Sequence, residues 1–132
     1  MPKVRSDEMI MYDRWSTGFY AEMKVSEILR EHGFVVFRHP HSATPDIWAW
    51  RDGVLFLIEV KSTLKSSVTV NPEQVSIIRG LLQFFANTSI CAVGFVVVYF
   101  LQHDEFGVKR IDPLDNKVLT VRLGDHEPEL PL

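Results

Sequence analysis

The chain has 132 residues, 46% apolar and 23% charged, with a single cysteine and a formal charge of −3. That length suits one domain, burying roughly two-thirds of its unfolded surface, and the composition excludes disorder, collagen and coiled coil. Cys91 alone rules out a disulfide framework, a cysteine-held zinc and a CxxC redox pair. The longest apolar run, 90–101, is too short to cross a bilayer. With no apolar leader at the start, an intracellular, cytoplasmic protein without a membrane partner is expected.

One domain over 1–132 is expected, with a loose arm at 1–13, a core over 14–123 and an acidic tail at 124–132. Residues 15–32 read as a helix: Gly18, Ala21, Val25, Ile28, Leu29 and His32 share one face, and Gly33 is placed to stop it. A short strand at 34–38 leads into a loop at 39–44. Two strands follow, 45–51 and 54–62, separated by Asp52-Gly53, a pair suited to the positive φ angles of a type I′ hairpin turn. Residues 63–70 are Ser/Thr-rich and extended. Asn71-Pro72-Glu73-Gln74 opens a second helix running to about 87, with Asn as N-cap and Gln at the capping-box position. The stretch 90–101 is apolar on both faces, as an interior strand requires, so Cys91 is expected to be a small buried hydrophobe. Weaker strands at about 106–111 and 117–123 precede the tail. The order α-β-β-β-α-β-β-β predicts an α/β fold, a central mixed sheet flanked by helices.

The hairpin has a chemical consequence. A two-residue turn pairs Arg51 with Val54 and therefore sets Asp46 opposite Glu59, with Cβ atoms about 4.5–5.5 Å apart. Lys61, two residues beyond Glu59, points to the same face. Two carboxylates about 5 Å apart repel by roughly 3 kcal/mol at an effective dielectric near 20. Such a pair holds a proton or a cation, and two hard oxygen donors with open positions suit Mg²⁺. Glu22 sits at the margin of the first helix's apolar face. Gln74 falls inside the second helix's arc of Ile77, Ile78, Leu81, Leu82, Phe84 and Phe85. His39 and His41 have a ligand-like spacing, but the neighbouring carboxylates favour a hard ion. Trp48 and Trp50 read as core or interface residues.

Together, Pro45-Asp46, twelve residues, then Glu59-Val60-Lys61, preceded by a helix bearing Glu22 and followed by one opening at Gln74, resemble the PD-(D/E)XK nucleases. Within them the sequence is most similar to the archaeal-type Holliday junction resolvases, found also in viruses. The matching stretches include Val36-Phe37-Arg38-His39-Pro40-His41-Ser42, Leu57-Ile58-Glu59-Val60-Lys61-Ser62 and Glu73-Gln74-Val75, and cover about 14–100. The resemblance implies the restriction-endonuclease-like fold and Mg²⁺-dependent (or Mn²⁺-dependent) endonuclease action on four-way DNA junctions. It implies that Asp46 and Glu59 hold the metal, with Glu22 acting through water, and that Lys61 orients or deprotonates the attacking water. Ser42 would approach the DNA near the cut, and Gln74 would support Lys61 or the motif backbone. Arg14, Arg38, His39, His41 and Lys65 would gather round the site as phosphate contacts.

The chain departs from that family in two respects. Only Ala43 and Thr44 separate Ser42 from Pro45, where the archaeal proteins have a longer basic segment. It is also acidic, although without the tail's Asp125, Glu127 and Glu129 it carries 14 acids against 14 bases. The second helix's apolar arc of about 200° is wider than one sheet covers, which points to a homodimer, unless the C-terminal strands cover the remainder. Two other activities fit the sequence less well: nucleolysis of other branched or duplex DNA, and DNA binding or scaffolding without catalysis.

Overall fold

A computed structural model describes residues 14–39 and 43–132, with side chains in the first helix from Gly18 onward. Helix α1 (Arg14–Glu31) is followed by β1 (Val35–Arg38), β2 (Ile47–Arg51), β3 (Val54–Thr63) and β4 (Ser67–Thr69). Helix α2 (Pro72–Ala86) leads into β5 (Cys91–Phe100), β6 (Glu105–Ile111) and β7 (Thr120–Arg122). The main sheet runs β1-β2-β3-β5-β6, and β4 and β7 form a separate two-stranded sheet. Neighbours in the main sheet are antiparallel, except that β3 and β5 run parallel with α2 as their crossover. This is the mixed sheet between helices that the sequence predicts. No described helix is long and apolar enough to cross a membrane.

Local chemistry sets the elements. Gly33, with φ of 85°, ends α1. Asp52 and Gly53 both take positive φ, 52° and 77°, and the hairpin they close pairs Arg51 with Val54 and Ile47 with Ile58. Two apolar layers sandwich the sheet. Val25 and Leu29 of α1 pack with Phe56, Ile58, Phe95 and Val97 on one face. Val75, Ile78 and Leu82 of α2 pack with Leu55, Leu57, Val96 and Val98 on the other. Gly94 permits α2's close approach: a Cβ there would stand 2.8 Å from Ile78 Cγ2 and 3.1 Å from Leu82 Cδ1.

Three sequence expectations need correction. Cys91 is exposed, because β5 starts beyond the cover of both helices and becomes buried only from Gly94 onward. The last strand is not part of the main sheet: β7 pairs with β4, which forms within the stretch read only as extended. Gln74 does not complete a capping box. Asn71 Oδ1 accepts from the Glu73 N–H at 2.9 Å, while Gln74 Oε1 is buried without a hydrogen-bond partner.

The C-terminal residues fold back as a strap. Asp125 accepts the Val108 N–H on its backbone oxygen at 2.9 Å, and Glu127 Oε1 accepts the Arg110 N–H at 3.1 Å. Leu130 is 5% exposed and joins the α1-side core, with Leu132 packed beside it. The strap thus wraps the outer edge of β6.

Candidate active site

Asp46 stands one residue before β2, beyond the last hairpin pair, where the register continues to Glu59. Its backbone is tied to the end of β1, because the His39 N–H donates to the Asp46 carbonyl at 2.8 Å. Its carboxylate Oδ2 accepts the Val60 N–H at 2.8 Å, which locks the side chain across the hairpin. Asp46 is 6% exposed and Glu59 2%. Lys61 places Nζ 3.4 Å from Glu59 Oε2, whereas Glu59 Oε1 is buried with no hydrogen-bond partner.

The electrostatics follow from that burial. Desolvation, then the charge of Asp46, push the Glu59 carboxyl up to about 7, against the opposing pull of Lys61. Asp46 also rises through burial, restrained by the Val60 N–H and the Lys61 charge. Metal-free, the pair behaves as two acids competing for a proton near neutral pH. The orphaned Glu59 oxygen and the second carboxylate beside it fit a divalent cation.

Glu22 reaches the site from α1, on the other side of the sheet. Its carboxyl is raised by burial and feels the Asp46 charge, but its Oε1 accepts Arg38 Nε at 3.0 Å. Among the described residues no three His, Cys, Asp or Glu side chains form one metal-holding group. Asp46 and Glu59 therefore stand as a pair, and water and phosphate oxygens would complete a cation's shell.

The remaining sequence candidates are placed differently from one another. Arg38 lies between Glu22 and the Phe19 ring, its guanidinium carbon 4.9 Å from the ring centroid. His39 stacks on Trp48 at 6.3 Å, and its charge acts on Asp46. Gln74 stands in the first turn of α2 with no hydrogen bond from Lys61 to its Oε1. Lys65 is exposed on the turn between β3 and β4. The Arg14 side chain, His41 and Ser42 lie outside the described residues.

One group escapes the sequence reading. Lys24 Nζ pairs with Asp104 Oδ1 at 2.9 Å and lies 5.0 Å from the centroid of the Tyr99 ring, while the Tyr99 hydroxyl donates to the same carboxylate oxygen. Tyr99 is paired with Ser62, so this group sits at the Lys61 end of the sheet. Its partners are 80 residues apart, and no local spacing announces them.

A sequence model of the archaeal Holliday junction resolvases matches residues 13–121. The chain belongs to that family. Its relatives include the crossover junction endodeoxyribonucleases Hje of Saccharolobus islandicus and Saccharolobus solfataricus. Each is 32% identical over 109 residues, covering 79% of this chain and 78% of the relative. A crossover junction endodeoxyribonuclease of Sulfolobus islandicus rod-shaped virus 1 is 42% identical over 64 residues, 45% of this chain and 53% of its own. The fold is shared with Hjc, a Holliday junction resolvase of Archaeoglobus fulgidus, at a TM-score of 0.62 and 19% identity over 81% of this chain and 83% of that one. The family match ends at residue 121, before the strap begins.

Proposed function

We propose that this family member is a Mg²⁺-dependent endonuclease that resolves four-way DNA junctions by paired, symmetric phosphodiester hydrolysis inside the cell. The observation that carries the reading is the buried Asp46–Glu59 pair beside Lys61, with one Glu59 oxygen unpartnered. A binding module gains nothing from two buried, mutually repelling carboxyls next to a polyanion. A nuclease does, because the cation they hold serves as Lewis acid and template for in-line attack by water.

The residues divide the work. Asp46 and Glu59 would hold the Mg²⁺ (Mn²⁺ having the same oxygen preference), and Glu22 would contribute through water. Lys61, its ammonium already beside Glu59, orients the attacking water and offsets charge on the scissile phosphate. Gln74, whose Oε1 has no other hydrogen-bond partner, would support Lys61 or the motif backbone. Arg14, Arg38, His39, His41, Ser42 and Lys65 supply contacts to the DNA backbone.

The active form we propose is a homodimer of one domain per chain. Phe84 of α2 is 62% exposed and Phe37 of β1 is 59% exposed, with Ile77 and Val35 also open. Phe84 packs on Phe85, and Phe85 edges onto Trp48, the β2 partner of Phe37, so this apolar surface is continuous. The C-terminal segment does not cover it: Arg79 and Gln83 hold residues 112–117 through hydrogen bonds on the other flank of α2. A second copy would cover it about a two-fold axis and set two sites for opposed strands.

The test incubates a labelled four-way junction and a matching linear duplex with the protein, in Mg²⁺ or EDTA, beside Asp46→Ala. Symmetric, metal-dependent nicking of the junction alone, lost in the variant, is expected. Equal cutting of both DNAs would move the activity to a general nuclease, and binding without cutting would leave a DNA-binding module.

A further inference from the structure

The acidic strap is chemically odd in a protein that must meet a polyanion. Its three acids equal the chain's whole net charge of −3. Nor do they hang free. Asp125 Oδ2 lies 3.8 Å from Lys109 Nζ and accepts the Arg122 N–H at 2.8 Å. Glu129 Oε1 accepts Arg110 Nη1 at 3.0 Å, and Glu127 takes the Arg110 backbone N–H. Buried Leu130 anchors the segment, so these contacts are fixed in place.

Of the two bases so occupied, Arg110 points to the α1 face with its partner Phe95, and Lys109 points to the face of Glu59. Lys109 pairs with Val96, and Val96 pairs with Glu59, so Lys109 stands in the same row of the sheet, two strands away. At strand spacing that is about 10 Å from Glu59, within the width of a duplex. β6 is also the edge opposite β1. In a dimer joined through the α2–β1 surface it faces outward, where any duplex arm can reach but the branch point cannot.

We infer that Asp125, Glu127 and Glu129 are selectivity residues: Asp125 and Glu129 pair with Lys109 and Arg110, which project to opposite faces of edge strand β6, and with the added charge of Glu127 they deny ordinary duplex DNA a second basic edge flanking the site. Phosphate contacts supply most non-specific affinity through counterion release. Cancelling bases on the outer flank therefore lowers affinity for linear DNA more than for a junction held at the branch point. This inference rests on the junction reading above, and the two fail differently.

The test measures binding to a four-way junction and a linear duplex across a salt series in EDTA, so that nothing is cut. The variant D125N/E127Q/E129Q keeps oxygen acceptors at the same places and removes the charge. It is expected to bind linear duplex about tenfold tighter, with a salt slope steeper by about two, while junction affinity rises less. Adding K109Q/R110Q to it should cancel that gain, whereas K109Q/R110Q alone, which leaves the three acids unopposed, should weaken duplex binding. If the triple variant melts early, Glu129→Gln alone, which touches only the Arg110 guanidinium, should move duplex affinity the same way by a smaller factor. An unchanged ratio and slope, or a gain that survives K109Q/R110Q, would overturn the inference. Wild-type protein that cuts duplex and junction equally would overturn the junction reading instead.

Discussion

Two acid–base groups lie on the same sheet, with Glu59 of one and Lys109 of the other in a single row on either side of Val96, and they are built differently. On one side Asp46 and Glu59 are buried, repel each other and leave an oxygen unpartnered beside Lys61. On the other side the strap carboxylates meet Lys109, Arg110 and edge N–H groups at the surface. A largely paired surface group contributes little stability, although Glu129 Oε2 is itself buried without a hydrogen-bond partner. A buried, unsatisfied one costs free energy unless something else completes it. In our reading the nearly fully buried, mutually repelling pair is where a cation would be held, and the paired strap group is a surface withdrawn from DNA.

The sharpest way to break this contrast is to remove charge from the buried pair. Asp46→Asn or Glu59→Gln should lower junction cleavage by a factor on the order of 10³ at saturating Mg²⁺, read by single-turnover kinetics. Binding of the junction in EDTA should persist in both.

Next in size is the dependence of stability on pH. Glu59 ordinarily titrates near 4.5 and here near 7. Between those values the unfolded chain releases a proton that the folded chain keeps. The metal-free protein should therefore lose stability as pH rises from about 4.5 to 7, by on the order of 3 kcal/mol. Glu59→Gln should flatten that slope and raise the melting temperature at pH 8, although it abolishes cutting. Mg²⁺ needs the deprotonated pair, so its stabilising effect should grow over the same range. Thermal melts across pH, with and without Mg²⁺, would show all three effects.

A smaller effect is expected where a carboxylate is added to neither group. Phe84→Asp places one in the middle of the exposed apolar surface and should weaken the proposed dimer by about tenfold or more, seen by sedimentation at varied concentration. Monomers should still melt cooperatively, while coordinated nicking of both strands declines. The least effect belongs to the surface group. Arg110→Gln removes one exposed ion pair and should change unfolding free energy by at most about 1 kcal/mol in urea titrations.

Much of the buried pair was legible because the hairpin is local. Asp52-Gly53 fixes the register, and register alone sets Asp46 against Glu59 and aligns Lys61. The unguarded shoulder of α2 was legible too, since its arc of apolar residues is wider than one sheet covers. What escaped depends on distant pairings. Lys24 meets Asp104, and β4 meets β7, through contacts that no window of sequence contains. Cys91 was misread because an apolar run does not reveal where helical cover begins. The strap was invisible for a related reason: its acids look like a solvated tail until β6 offers them an edge.

Gly94 has a consequence for how this sequence can change. With hydrogen as its side chain, it leaves no slack between the sheet and Ile78 or Leu82. Positions 78, 82 and 94 therefore share one fixed volume and are not free to vary singly. A methyl group gained at 94 must be surrendered across the gap, so Gly94→Ala should fold poorly alone and recover when paired with Ile78→Ala. Because the same helix carries Gln74 in its first turn, that shared volume also fixes where that turn lies against the sheet.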